Sequence, residues 1–149
     1  MASTITNGKL VVKISESLLL NNKEQGGVTT TILSDVNEYS KRIVTLVADT
    51  SHTIAEFANT ITSVLEYDSS KLKYIRITNL DDTTKVIVTY GAGTTAAALP
   101  VQASGSLLLF GKGARGADSD AAITSTSSLD SIYLRSSAAI DVEILIATT

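Results

Sequence analysis

The sequence predicts an all-β fold: an antiparallel β-sandwich or jelly-roll-like single domain spanning residues 1–149, with room for one short helix. Three observations carry this expectation. Six segments alternate apolar and polar residues with a period of two and are rich in Val and Ile, the pattern of a half-buried strand. Two of the connections between them, "NLDDTT" and "SAA", are short, which suits antiparallel neighbours better than crossover-linked parallel strands. Finally, 149 residues with 44% apolar content are enough to bury a real core without disulfide staples. Charged residues make up only 18%, and much of the remaining polarity is Ser and Thr, a surface suited to packing against other protein.

Taken in order, "KLVVKIS" sets Leu10, Val12 and Ile14 against Val11, Lys13 and Ser15. "KRIVTLVA" places Ile43, Thr45 and Val47 on one face and Val44, Leu46 and Ala48 on the other. "HTIAEFANTITSVLEY" is ambiguous. Ile54, Phe57, Ala58 and Ile61 share a helical face, and Thr53 with Glu56 fits a capping box. Its many β-branched residues favour a strand over Thr53–Phe57 followed by a loop, with a short helix as the alternative. "KYIRITNL" turns Ile75 and Ile77 to one face and Tyr74, Arg76 and Thr78 to the other, and "KVIVTY" groups Val86, Val88 and Tyr90. Pro100 starts a strand or occupies an edge. "SIYLRS" pairs Ile132 with Leu134, and "IDVEILIA" sends Ile140, Val142, Ile144 and Ile146 inward, with Asp141 and Glu143 outward. The two short connections then read as hairpin turns. Residues 1–9 form an extended arm, while "NNKEQGGVTTT" and residues 111–128 are exposed loops.

The loop "GKGARGADSD" contains a G-x-G-x-x-G at Gly111, Gly113 and Gly116. A dinucleotide fingerprint needs a preceding strand, a helix opening at the third glycine and an acidic residue about 20 positions on. The strand "SLLLF" is there, but the following Ser/Thr-rich stretch is no helix; Asp130 falls too early and Asp141 lies in a strand. Gly111-Lys112 is followed by Gly113, so no Walker A loop is present. Asp118 with Asp120, and Asp81 with Asp82, lack the offsets of a calcium loop. His52 is the single histidine, in polar, turn-like flanks that suit a surface residue better than a general base. Nothing selects a catalytic pair among the 15 Asp and Glu residues, and no cysteine exists to act as nucleophile or thiolate ligand. The expectation is a protein without catalytic residues, cofactor or metal.

Net charge is −3 and the basic residues are dispersed, which predicts no nucleic-acid partner. No apolar run approaches the roughly 20 residues of a membrane span, and "MASTITNGKL" lacks the pattern of a secretory signal. The chain is expected to fold in a cytoplasm.

Two stretches carry a resemblance. "LKYIRITNLDDTTKVIVTYGAG" resembles the Y-x-R-I-T-N-x-D segment of small virion structural proteins of tailed bacteriophages, and "SLDSIYLRSSAAIDVEILIATT" resembles their closing C-terminal hairpin. "EYSKRIVTLVADTSHTIAEF" fits the same layout, so the resemblance covers Tyr39 to Thr149. It implies a virion protein assembled in the host cytoplasm. The favoured role is a capsid decoration (cement) protein that bridges subunits of the major capsid protein or other virion proteins and is itself a homo-oligomer, with a trimer preferred. A tail or head–tail connector component is the alternative. A carbohydrate-binding attachment module is a second one, with Tyr39, Tyr67, Tyr74, Tyr90 and Tyr133 as a possible platform, of which Tyr74 and Tyr133 face outward. The expected subunit contacts are the 1–9 arm and the loop tip Gly111, Lys112, Gly113, Arg115 and Gly116, where glycine permits extended or left-handed backbone.

Overall fold

A computed structural model of the chain describes residues 8–58, 63, 65–68, 71–91, 97–110 and 131–149. They contain thirteen strands and no helix. β1 (Gly8–Glu16), β2 (Leu19–Leu20), β3 (Lys23–Glu24) and β4 (Gly27–Val36) form a long hairpin. The remaining strands are β5 (Glu38–Leu46), β6 (His52–Ala58), β7 (Glu66–Asp68), β8 (Leu72–Asn79), β9 (Val86–Gly91), β10 (Ala97–Val101), β11 (Ser106–Phe110), β12 (Ser131–Ser136) and β13 (Ile140–Thr148). They make a four-stranded sheet, β11-β8-β13-β5, and a five-stranded sheet, β10-β9-β12-β6-β7. Every pairing is antiparallel except the short β6–β7 pair. The all-β sandwich read from the sequence is the architecture observed.

The connectivity departs from expectation. β8 and β9 lie in different sheets, and so do β12 and β13. "NLDDTT" and "SAA" are therefore not hairpin turns but arches that carry the chain across the sandwich. The same holds for β5–β6 and β10–β11, so four arches join strands at matching positions in the two sheets. A short polar connection serves a hairpin or an arch equally well, because both leave the apolar face of each strand pointing to the core.

Backbone hydrogen bonds tie the arches side by side. Asp49 N donates to Ser136 O (2.7 Å), Leu80 N to Asp141 O (3.0 Å), Asn79 N to Gly105 O (2.9 Å) and Ser104 N to Asp81 O (2.8 Å). Asp49 and Ser104, with φ of 57° and 58°, make the left-handed bends that two of the arches need. Asn79 is the hub. Its side chain is fully buried; Nδ2 donates to Thr84 O (2.7 Å) and Gln102 O (3.2 Å), and Oδ1 accepts from Asp81 N (3.1 Å).

Between the sheets, Ile75, Ile77, Val142, Ile144, Ile146 and Leu46 meet Ile54, Val86, Val88, Ile132 and Leu134. Each such side chain contributes roughly 1.5–3 kcal/mol by leaving water. The strand over Thr53–Phe57 is observed within β6, and its ambiguous spacing has a cause. Ile132 pairs with Ala55 but Tyr133 with Thr53, so Ile54 is the extra residue of a bulge. Ile54, Ala55 and Phe57 are all buried as a result, which breaks the alternation. Pro100 sits in β10 at the sheet edge, as expected.

"NNKEQGGVTTT", expected to be a loop, is instead the turn, β3 and the start of β4. Its threonines are polar by composition but β-branched, and they pair across the ladder as Thr29–Ile14, Thr30–Lys13 and Thr31–Val12. Gly8 and Lys9 of the anticipated arm open β1; residues 1–7 lie outside the described residues.

Asn79→Ala leaves the Thr84 and Gln102 carbonyls without their donor. The expected loss is about 2–3 kcal/mol, a fall in melting temperature of roughly 4–12 °C at 2–4 °C per kcal/mol. Thermal unfolding followed by circular dichroism checks this, with Asp82→Ala, an exposed neighbour in the same arch, as a near-neutral comparison.

Candidate interaction surface

The hairpin turns at Leu20-Asn21-Asn22-Lys23, and Asn21 and Asn22 have φ of 50° and 61°. Two consecutive left-handed residues define the type I′ turn, whose twist matches that of the strands, and asparagine tolerates that region. Below the tip, Gln25 N donates to Leu18 O (2.7 Å). A Cβ on Gly26 would lie 2.0 Å from Glu16 O, so only glycine fits this waist.

One face of the hairpin base is anchored. Val12, Leu33 and Val36 bury themselves against Tyr74, Leu145 and Ala147 on the outer face of the four-stranded sheet, with Leu10 and Leu108 alongside. Tyr74 thus points out of its sheet as expected but is buried under the hairpin, and burial raises its pKa. Away from the anchor the hairpin stays uncovered: Val11, Ile14, Leu18, Leu19 (66% exposed), Leu20, Val28 (67%) and Ile32 (62%). These seven are more than half of the thirteen large apolar side chains exposed among the described residues. Apolar exposure concentrated this way marks a contact surface.

Beside the anchor lies an open groove of about 610 Å³ lined by Leu10, Val12, Tyr74, Arg76, Leu108 and Leu145, with Val11 and Lys13 at its rim. At its edge Glu143 receives Lys41 Nζ at 3.0 Å and an Arg76 guanidinium nitrogen. Hydrogen bonding from Lys41, then from Arg76, holds the Glu143 carboxyl below the usual carboxylate range against the opposing effect of burial. Arg76 Nε is buried and has no hydrogen-bond partner among the described residues.

The other sequence candidates have structural duties or do not converge. His52 is half-buried and its Nε2 accepts from Val47 N (2.9 Å), closing the β5–β6 arch. Asp81 accepts from the Thr83 and Thr84 backbone, and these hydrogen bonds lower its pKa; the carboxylate serves an Asx turn. Among the described residues no group of three or more His, Cys, Asp and Glu is placed to hold a metal. Tyr67 is buried against Phe57 (ring centroids 6.2 Å apart), Tyr90 packs on the core, and only Tyr39 and Tyr133 are exposed, on different sheets. The tyrosines therefore make no common platform. Gly111, Lys112, Gly113, Arg115 and Gly116, with Asp118 and Asp120, lie outside the described residues. The hairpin is hidden in the sequence because its second strand is polar enough to read as a loop; the I′-competent Asn21-Asn22 after Leu18–Leu20 is the signal that marks its turn.

Glu143 makes an acid-dependent contribution. Its folded pKa lies below the unfolded value, so its stabilisation is fully present above the unfolded pKa of about 4.3 and fades as pH falls through the folded pKa. Glu143→Gln is expected to lower the urea midpoint at neutral pH and to flatten its decline below about pH 5. Part of the decline is retained, because Asp81 titrates with the same sign. An unchanged acid slope in Glu143→Gln contradicts this assignment. Comparison of the chain with protein-family models, curated proteins and solved structures found no match.

Proposed function

We propose that this chain is a non-enzymatic structural protein of a phage virion: a capsid decoration protein that bridges neighbouring capsid subunits and acts as a homo-oligomer. The observation that carries the reading is the anchored hairpin with an uncovered apolar tip. Such a tip contributes little to its own sandwich and gains by being buried against another protein. The resemblance of "LKYIRITNLDDTTKVIVTYGAG" and "SLDSIYLRSSAAIDVEILIATT" to small virion proteins supplies the class of partner, the major capsid protein or its virion neighbours. A decoration protein needs no reaction chemistry. Weak contacts repeated over a symmetric shell add up through avidity, so a few leucines per copy suffice.

The test uses purified protein and shells, stripped of it, of the virus that encodes it. Leu18→Asp with Leu20→Asp places charge on the tip while keeping the Asn21-Asn22 turn. The expected result is loss of shell binding in co-sedimentation, with the melting temperature within a few degrees of the parent. Deleting Gly113–Gly116 in parallel reports whether the glycine loop shares the contact. Parental affinity in both variants overturns the docking model. Binding to isolated tails instead of shells moves the protein to the tail or connector.

A further inference from the structure

We infer that β4 is a self-pairing edge: two copies of this chain join through antiparallel β4–β4 addition about a two-fold axis. The inference rests on the homo-oligomer part of the proposed function and not on the shell.

Over residues 27–34 this edge lacks the usual protection. Proteins guard exposed strand edges with charge, proline, bulges or short length. Here β1 carries Lys9, Lys13 and Glu16, β5 carries Glu38, Lys41 and Arg42, β10 carries Pro100, and β7 has only three residues. β11 is five residues long and uncharged, but its outward Leu108 is packed beside the hairpin base. β4 is guarded only at its base, where Asp35 and a bulge lie between Leu33 and Val36. Residues 27–34, "GVTTTILS", hold no charge and no proline, and among the described residues β4 pairs only with β1.

The register of such a pair is favourable as well. Antiparallel pairing that sets Thr30 opposite its own copy sets Val28 opposite Ile32 twice, once on each side of the axis. Val11 already lies across from Ile32 in the β1–β4 ladder. The pairing thus extends one apolar row as Val11, Ile32 and the second copy's Val28, and repeats it by symmetry. Side chains directly opposite in antiparallel strands touch, so the two exposed large apolar residues of β4 cover one another. The anchored faces of both hairpins fall on the same side of the joint four-stranded ribbon, which leaves each sandwich seated under its own hairpin.

A stable pair also needs area. In this register residues 27–33 of each β4 face one another, and edges about 23 Å long and ~10 Å deep cover only about 230 Å² per copy, against the roughly 800 Å² of a standard interface. Antiparallel placement adds to this area by carrying the tip of each hairpin, with Leu18, Leu19 and Leu20, towards the base of the other. This geometry favours a two-fold pair over the threefold arrangement that the virion resemblance implies.

The experiment is the native mass of the full chain without shells, by sedimentation equilibrium, for the parent and for Thr30→Lys. Thr30 is exposed, so lysine costs its own hairpin only a surface like-charge pair with Lys13, while across the axis it meets its own copy. The expected result is a dimer for the parent and a monomer for Thr30→Lys with an unchanged circular dichroism spectrum. Because the chain has no cysteine, Thr30→Cys alone should give a covalent dimer on oxidation, whereas Ser15→Cys on β1 should not. A monomeric parent, a trimer indifferent to Thr30→Lys, or equal cross-linking at both cysteines each overturns the pairing. Shell binding in the tip variant is read separately, so the two ideas fail independently.

Discussion

The fold depends on the hydrogen bonds that lock its four arches together at one end of the sandwich. Each arch swaps the chain between sheets, so no pair of strands joined by an arch stabilises the other through a ladder. What holds an arch is its neighbour: β5–β6 against β12–β13, that against β8–β9, and that against β10–β11. Asn79 supplies the bond density the centre of this row needs, because its amide reaches across its own arch and to the next. An apolar residue of similar size would fill the space and leave two carbonyls stranded, a larger loss than the packing it gained.

A second dependence runs through the outer face of the four-stranded sheet. Sheets in sandwiches usually present polar residues outward, yet Tyr74, Leu145 and Ala147 are outward and buried. They are intelligible only as the seat of the hairpin. Next to them the outward face reverts to polar pairs, with Lys41 and Arg76 on Glu143, and Thr45 Oγ1 donating to Asp141 at 2.6 Å. The boundary between seat and solvent therefore passes through Arg76, which is apolar along its stem and charged at its end.

The inward faces of β8, β9, β12 and β13 are legible in the sequence because period-two patterning survives wherever one face is buried and the other is wet. "IDVEILIA" shows where that legibility stops. Ile140 to Ile146 alternate as read, while Leu145 and Ala147 break the pattern for a reason located some 110 residues upstream, in the hairpin they support. Ile54 and Ala55 were obscured by a bulge, and Thr29–Thr31 by a side chain that is polar yet strand-prone. Which sheet each strand joins was not readable, since the arch at Leu80–Lys85 has a hairpin's length and composition. The tip leucines were visible as letters, but their exposure follows from where the ladder leaves the sandwich, which is a property of the whole fold.

The continuity of β4 and β5 has a mechanical side. Only Asn37 separates them, and β5 then lies in register against β13 over nine residue pairs, from Thr148–Glu38 to Ile140–Leu46. A pull on the hairpin along its length reaches β5 as tension along a strand within a sheet, so the ladder is loaded in shear and its hydrogen bonds share the force at once instead of opening one by one. Asn37 N, bonded to Thr148 O at 3.0 Å, pins the junction itself. Strain at the hairpin tip is thus delivered, past the bend at Asp35, to the most extensively paired seam of the sandwich.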